Sequence, residues 1–140
     1  MTSSSIPALF ALANPADNHH AEAVAAFESS VGHDDLKTSD HVVVETWDLI
    51  RSRLGRNAAM RFWDGFDGGV ITVVGAKAED FRRGRGFAQA WSDQTFSIVA
   101  CTSFALIERL GIRRAFAFDR HVRVVRLGRR RDLALEVVPH

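Results

Sequence analysis

Two hydrophobic periods alternate along this chain, and they divide it into helices and short strands. Residues 8–13 are an apolar helical run with Pro7 suited to its first turn. Residues 14–18 (Asn-Pro-Ala-Asp-Asn) form a turn, and Asp17 or Asn18 caps a helix through Ala21, Val24, Ala25 and Phe27 toward Gly32. A polar loop at 33–35 precedes a short strand at 36–39. Ser39 or Asp40 caps the next helix, whose apolar positions Val43, Val44, Trp47, Ile50 and Leu54 recur at helical spacing until Gly55. A further helix at 56–66 stops at Gly68-Gly69. Residues 70–74 (Val-Ile-Thr-Val-Val) are the clearest strand, β-branched and flanked by glycines. Helices are expected over 78–91, with Gly84 and Gly86 as weak points, and over 98–110, capped by Ser97 and stopped by Gly111. A strand at 114–118 runs into Asp119, and residues 123–127 and 134–138 alternate as edge strands do.

Short strands separated by helices imply a parallel sheet covered on both faces, a single three-layer α/β/α domain spanning 1–140. Ligands in such folds sit at the carboxyl ends of strands, which is where Asp119 falls. Such a chain ordinarily opens on a buried strand, yet residues 1–5 are mostly polar and only 4–6 are left to form one.

Composition narrows the class. With 46% apolar and 25% charged residues the chain matches globular domains, which excludes a disordered tail or a fibrous rod. No apolar run approaches the ~20 residues of a membrane helix. The first residues lack the positive charge of a signal peptide, and the lone Cys101 has no internal disulfide partner, so a cytoplasmic setting is expected. The net charge of +1 conceals an asymmetry. Residues 1–80 hold 6 Lys+Arg against 12 Asp+Glu, and residues 81–140 hold 12 against 5, all twelve bases being arginine. An arginine-rich half attracts phosphates, or is simply a solvated surface.

Three stretches carry a family resemblance: Ala8-Leu9-Phe10-Ala11-Leu12 followed by Asp17-Asn18-His19-His20; residues 38–46, Thr-Ser-Asp-His-Val-Val-Val-Glu-Thr; and residues 96–106, Phe-Ser-Ile-Val-Ala-Cys-Thr-Ser-Phe-Ala-Leu, leading to Ala115-Phe116-Ala117-Phe118-Asp119-Arg120-His121. In order and spacing they resemble the PIN-domain ribonucleases of the VapC toxin type over nearly the whole chain. The resemblance implies a PIN-like fold with a mainly parallel sheet. It also implies endonucleolytic cleavage of RNA, a Mg²⁺ or Mn²⁺ ion held by converging carboxylates, a small cognate antitoxin and a homodimer. Hard divalent cations favour carboxylate oxygens, and a bound metal activates water and neutralises charge on the phosphate.

Carried over by residue, the acidic pattern is incomplete. Glu45 matches the acid of the third helix and Asp119 the acid after the strand. Asp93 matches a further acidic position before the Phe-Ser pair, and Arg120 is a candidate phosphate ligand. The family acid that closes the opening strand falls at Ser5, and the acid of the helix with Thr102-Ser103-Phe104 falls at Ala100; neither is a carboxylate. Metal affinity and cleavage are therefore expected to be impaired, leaving either a weakened endoribonuclease or a catalytically dead module that binds RNA or an antitoxin. The plainer readings are a surface glutamate at Glu45, a turn acid at Asp119, packing roles for His19, His20, His41 and His121, and solvated arginines at 129–131. The buried look of the helix around Glu45 argues for a site role there. Trp47, Trp63, Trp91 and most of the ten Phe read as core, as does Cys101.

Overall fold

In the computed structural model, described for residues 2–4, 6–30, 36–69, 71–118, 120–128, 130–131 and 133–139, the chain forms an α/β/α domain around a parallel sheet. The elements are β1 (Thr2–Ser4), α1 (Ile6–Ala13), α2 (His20–Ser30), β2 (Leu36–Ser39), α3 (Asp40–Leu54), α4 (Arg56–Asp67), β3 (Thr72–Val74), α5 (Ala78–Ala90), α6 (Ile98–Leu110), β4 (Arg114–Phe116), α7 (Arg120–Val124), β5 (Arg126–Leu127), β6 (Leu133–Ala134) and β7 (Glu136–Val138). The sheet order is β3-β2-β1-β4-β7 with every neighbouring pair parallel, and β5 and β6 form a separate antiparallel pair. The loop expected at 33–35 lies outside the described residues.

Local chemistry sets the helix boundaries. Ser39 Oγ accepts from Val42 N at 3.1 Å and Ser97 Oγ from Ala100 N at 3.0 Å, so each serine satisfies an amide that the first helical turn leaves unpaired. Gly111 closes α6 in the left-handed region at φ 68°. Asp17 accepts from His19 N ahead of α2.

Alternation along the strands divides the core between the two faces. Ala115 and Val137 join a cluster with Phe87 of α5 and Phe104 and Ile107 of α6. Phe116 and Val138 belong instead with Leu9 of α1, Ala23 and Ala26 of α2 and Leu36 of β2. Phe10, Ile50 and Ala59 tie α1, α3 and α4 together.

The fold departs from the sequence pattern in four places. The central strand is β1, built from Thr2–Ser4 and paired with both β2 and β4. Its ladder consists of backbone bonds, which need no apolar side chains, and hydropathy therefore overlooks it. The strand expected at 70–74 shortens to Thr72–Val74 and takes a sheet edge, where Thr72 and Val73 are exposed; Val70 lies outside the described residues. The strand expected over 123–127 is confined to Arg126–Leu127 of β5, because residues 123 and 124 are the last turn of helix α7. Val122 within α7 and Val125 just after it are both buried, and a spacing of three is brought to one side by a helical turn rather than by alternation. The segment at 134–138 divides between β6 and β7. Among the aromatics, Trp63 and Phe81 are exposed rather than core.

Gly84 is required by close packing. A Cβ there would lie 3.1 Å from Cys101 C and O and 3.2 Å from Thr102 N, so α5 and α6 touch through backbone. Gly86, two residues on, meets only the flexible end of Arg131 at 3.9 Å. The two substitutions should diverge. Gly84→Ala gains helix propensity of about 1 kcal/mol but forces the helices apart at a cost of about 1–3 kcal/mol, for a net loss of stability. Gly86→Ala keeps the gain without the clash, for a rise of about 0.5–1 kcal/mol. Urea unfolding of both variants checks the pair.

Candidate functional site

Helix α3 begins at the carboxyl end of β2 and presents residues 40, 41, 44 and 45 along one face. Asp40, His41, Val44 and Glu45, with Val99 of α6, line a cavity of about 330 Å³. Glu45 is exposed, as is Val44, so the helix is not buried around it as its neighbours suggested. Its carboxylate needs no buried partner, and its place on a cavity wall is what distinguishes it from a plain surface acid.

Two other acids are committed to structure. Asp40 Oδ1 accepts from His41 N at 2.9 Å and from Ala76 N at 3.2 Å, fixing the segment between β3 and α5, and lies 3.0 Å from His41 Nδ1. Asp80 is 1% exposed and accepts from Arg109 Nε at 2.9 Å, Arg109 Nη2 at 3.0 Å and Lys77 N at 2.8 Å. The Arg109 hydrogen bonds hold its carboxyl below the usual carboxylate range, against the opposing effect of burial. His41 meets the exposed ring of Phe81 edge-on at 5.2 Å, which joins α5 to the same rim.

The remaining sequence candidates are dispersed. Asp93 lies exposed in the turn after α5, where its Oδ2 accepts from Gln94 Nε2 at 3.3 Å; the cavity's lining residues do not include it. Ala100 is the third residue of α6, partly buried and packed against the apolar cluster under the sheet, one position from Val99 on the cavity wall. Asp119 and Ser5 lie outside the described residues. Arg120 opens α7. Among the described residues no group of three His, Cys, Asp or Glu side chains is arranged to hold a metal ion. Glu45 and Asp40 are the acids of this cavity, and one Asp40 oxygen is already engaged, so the described donors do not compose a metal centre.

The histidines at the start of α2 take packing roles: His20 Nδ1 lies 2.8 Å from Ala11 O, and the His19 ring stacks on Phe118 at 4.5 Å. Cys101 is buried, and burial pushes its thiol up, which suits a core residue rather than a nucleophile. Sequence reading treated Asp40 only as a possible cap. The signal for more was present, since residues 40, 41, 44 and 45 share a helical face. Among the described residues no helix is long and apolar enough to cross a membrane.

The parallel sheet, the helix after β2 bearing acids beside the strand's carboxyl end, and the α6 wall opposite define an α/β/α domain of PIN type. The 23S rRNA-specific endonuclease VapC20 of Mycobacterium tuberculosis is 31% identical over 109 residues, 78% of this chain and 82% of that protein, in each of two strains. The crystal structure of M. tuberculosis VapC20, a sarcin-ricin-loop-cleaving toxin, superposes with a TM-score of 0.79 at 28% identity, covering 86% of this chain and 91% of that one. VapBC2 from Rickettsia felis, bound to a DNA fragment from its promoter, matches the fold with a TM-score of 0.71 at 10% identity, covering 97% of each chain. No protein-family profile matches the chain. On the VapC20 relationship, the chain belongs to the VapC-type PIN-domain ribonucleases of toxin–antitoxin systems.

The Asp80–Arg109 pair predicts an acid limb. Because the folded pKa is depressed, the stabilisation is fully present above the ordinary aspartate pKa of about 4 and is lost as pH falls through the lower folded value. Asp80→Asn should lower stability at neutral pH by about 3 kcal/mol, since it strands Arg109, and should flatten the decline below pH 4. Chemical denaturation at neutral and acidic pH measures both effects.

Proposed function

We propose that this chain is a VapC-type toxin whose RNA-cleaving site is impaired. Its fold and kinship are those of a metal-dependent endoribonuclease, and its acidic set is incomplete. The observation that carries this reading is Ala100 at the third position of α6, a methyl group next to the wall of the Glu45 cavity where the family pattern has a carboxylate. Ser5 is the second substituted position. Glu45, Asp119 and Asp93 are the acids proposed to remain for Mg²⁺ or Mn²⁺, with Arg120 as the proposed phosphate ligand. Each missing carboxylate removes a full charge and an oxygen ligand from a site whose affinity rests on both. A water can occupy the ligand position without restoring the charge, so metal binding should be weaker by orders of magnitude.

The chemistry left to these residues is recognition. The exposed Glu45 marks the reaction face, and arginines hold the phosphodiester backbone by charge-assisted bonds. RNA is the proposed substrate class, supported by the name of the 31% identical relative. A small cognate antitoxin is the proposed protein partner, and residues 1–140 acting as one domain, a homodimeric assembly and a cytoplasmic setting complete the reading. The same missing carboxylates favour a second possibility, a catalytically dead PIN-fold module that retains RNA or antitoxin binding. That module predicts binding that survives EDTA and Glu45→Ala.

The test is cleavage of a mixed structured RNA with Mg²⁺ or Mn²⁺. The expected result is little or no cleavage by the natural chain and marked cleavage by the double variant Ser5→Asp, Ala100→Asp, abolished by EDTA. Robust cleavage by the natural chain, lost with EDTA and with Asp119→Ala, would show that the remaining acids suffice and overturn the impairment.

A further inference from the structure

Helix α5 joins two regions of different character. Its first turn lies at the acidic rim, where Phe81 meets His41 and Asp40 binds Ala76 N. At thirteen residues and ~1.5 Å of rise each, it extends about 20 Å from that rim. Along it Arg82 and Arg85 stand three residues apart and are both exposed. No ion pair with a described acid engages either of them.

Beyond them the turn after β5 is brought onto the helix. Glu108 accepts from Gly128 N at 2.9 Å and from Arg83 Nε at 2.8 Å and Nη2 at 3.2 Å, and Arg83 reaches Gly128 O at 3.5 Å. A carboxylate on α6 and a guanidinium on α5 thus pin this turn to both helices. Arg131, at φ 54°, holds a left-handed conformation that side-chain-bearing residues seldom adopt. Its guanidinium lies 5.8 Å from the centre of the Trp91 ring and within 3.9 Å of the place a Cβ on Gly86 would take. Arg130 beside it is exposed. A solvated arginine loop has no need of such anchoring. The two-helix clamp on Gly128 and the aromatic seat under Arg131 hold this turn against α5, and the left-handed backbone at Arg131 persists because they fix it.

We infer that Arg82, Arg85, Arg130 and Arg131 form an RNA-backbone track along α5 and the turn that follows β5, which binds the substrate strand independently of the acids at the other end of the helix. The inference rests on the RNA reading above and locates where that RNA lies. The occupant is RNA by charge complementarity. Exposed guanidiniums in a row favour phosphates, and an arginine seated on an indole offers a flat face on which a base can stack. A chain that cannot cleave would, on this arrangement, still hold RNA.

The test is fluorescence anisotropy of a 5′-labelled structured RNA hairpin in EDTA, titrated at several salt concentrations. Compared are the natural chain, the track variant Arg82→Gln, Arg85→Gln, Arg130→Gln, and a control, Arg51→Gln, Arg56→Gln, that removes exposed arginines from α3 and α4. Circular dichroism melts verify that all three are folded. The expected result is affinity about tenfold or more weaker for the track variant alone, with the slope of log K against log salt shallower by about 2. Equal affinity for natural chain and track variant, or equal loss in the control, would overturn the track while leaving RNA binding intact. Absence of RNA binding by the natural chain would overturn both the track and the RNA reading.

Discussion

The buried carboxylate of Asp80 is the constraint on which both ends of the functional surface depend. It caps the first turn of α5 through Lys77 N and accepts from Nε and Nη2 of Arg109 on α6, so the start of one helix is locked to the end of the other. With that crossing fixed, the backbones can approach as closely as Gly84 allows. The placement of Phe81 against His41 at one end follows from it, as does that of Arg131 over Trp91 at the other. Two carboxylates at the contact of α5 and α6, Asp80 and Glu108, serve as internal counterions for Arg109 and Arg83. The arginine surplus of residues 81–140 is therefore partly internal scaffolding and partly surface.

This division explains why charge counting alone leaves the chain ambiguous. A net charge of +1 describes neither half, and twelve arginines do not describe a surface until their partners are known. Arg83 and Arg109 face carboxylates inside the α5–α6 contact, and Arg114 faces Glu136 across neighbouring strands at 3.3 Å. Arg82, Arg85 and Arg130 stand outside that scheme. The same sorting applies to the acids. Asp40 and Glu45 share a cavity, but Asp40 is bonded to the backbone at Ala76 whereas Glu45 is directed to solvent.

Where a residue type has one dominant local role, the sequence was sufficient. Ser39 and Ser97 cap α3 and α6, Gly111 stops α6, and Gly55 separates α3 from α4 as the pattern predicts, because capping is decided within four residues. Reading was weaker where tertiary context decides. Thr2–Ser4 become the central strand because β2 and β4 supply ladder partners on both sides, a fact absent from the segment itself. Residues 120–124 become a helical turn that brings Val122, and Val125 just after it, to the core with Phe104 and Ile112. The mixed apolar pattern around Glu45 suggested burial, yet Val44 and Glu45 fall on the outer face of α3 that only the cavity identifies. The family pattern singled out Glu45 and Ala100, and the structure puts Glu45 on a cavity wall and Ala100 one position from Val99 of the same wall. Neither pattern nor composition could show that Arg131 has an aromatic seat, since Trp91 is forty residues away in sequence.

Loss of an acid and retention of an anchored cationic surface have different structural consequences. At the start of α6 the Ser97 cap and the packing under the sheet hold with an alanine at position 100, so the proposed loss of a carboxylate there carries no structural penalty. The arginine turn is bound into the fold by Glu108 and Arg83, and its anchors cannot be removed without loosening α5 from α6. The side chain at the third position of α6 is therefore structurally replaceable, whereas the clamp that presents the arginines is tied to helix packing.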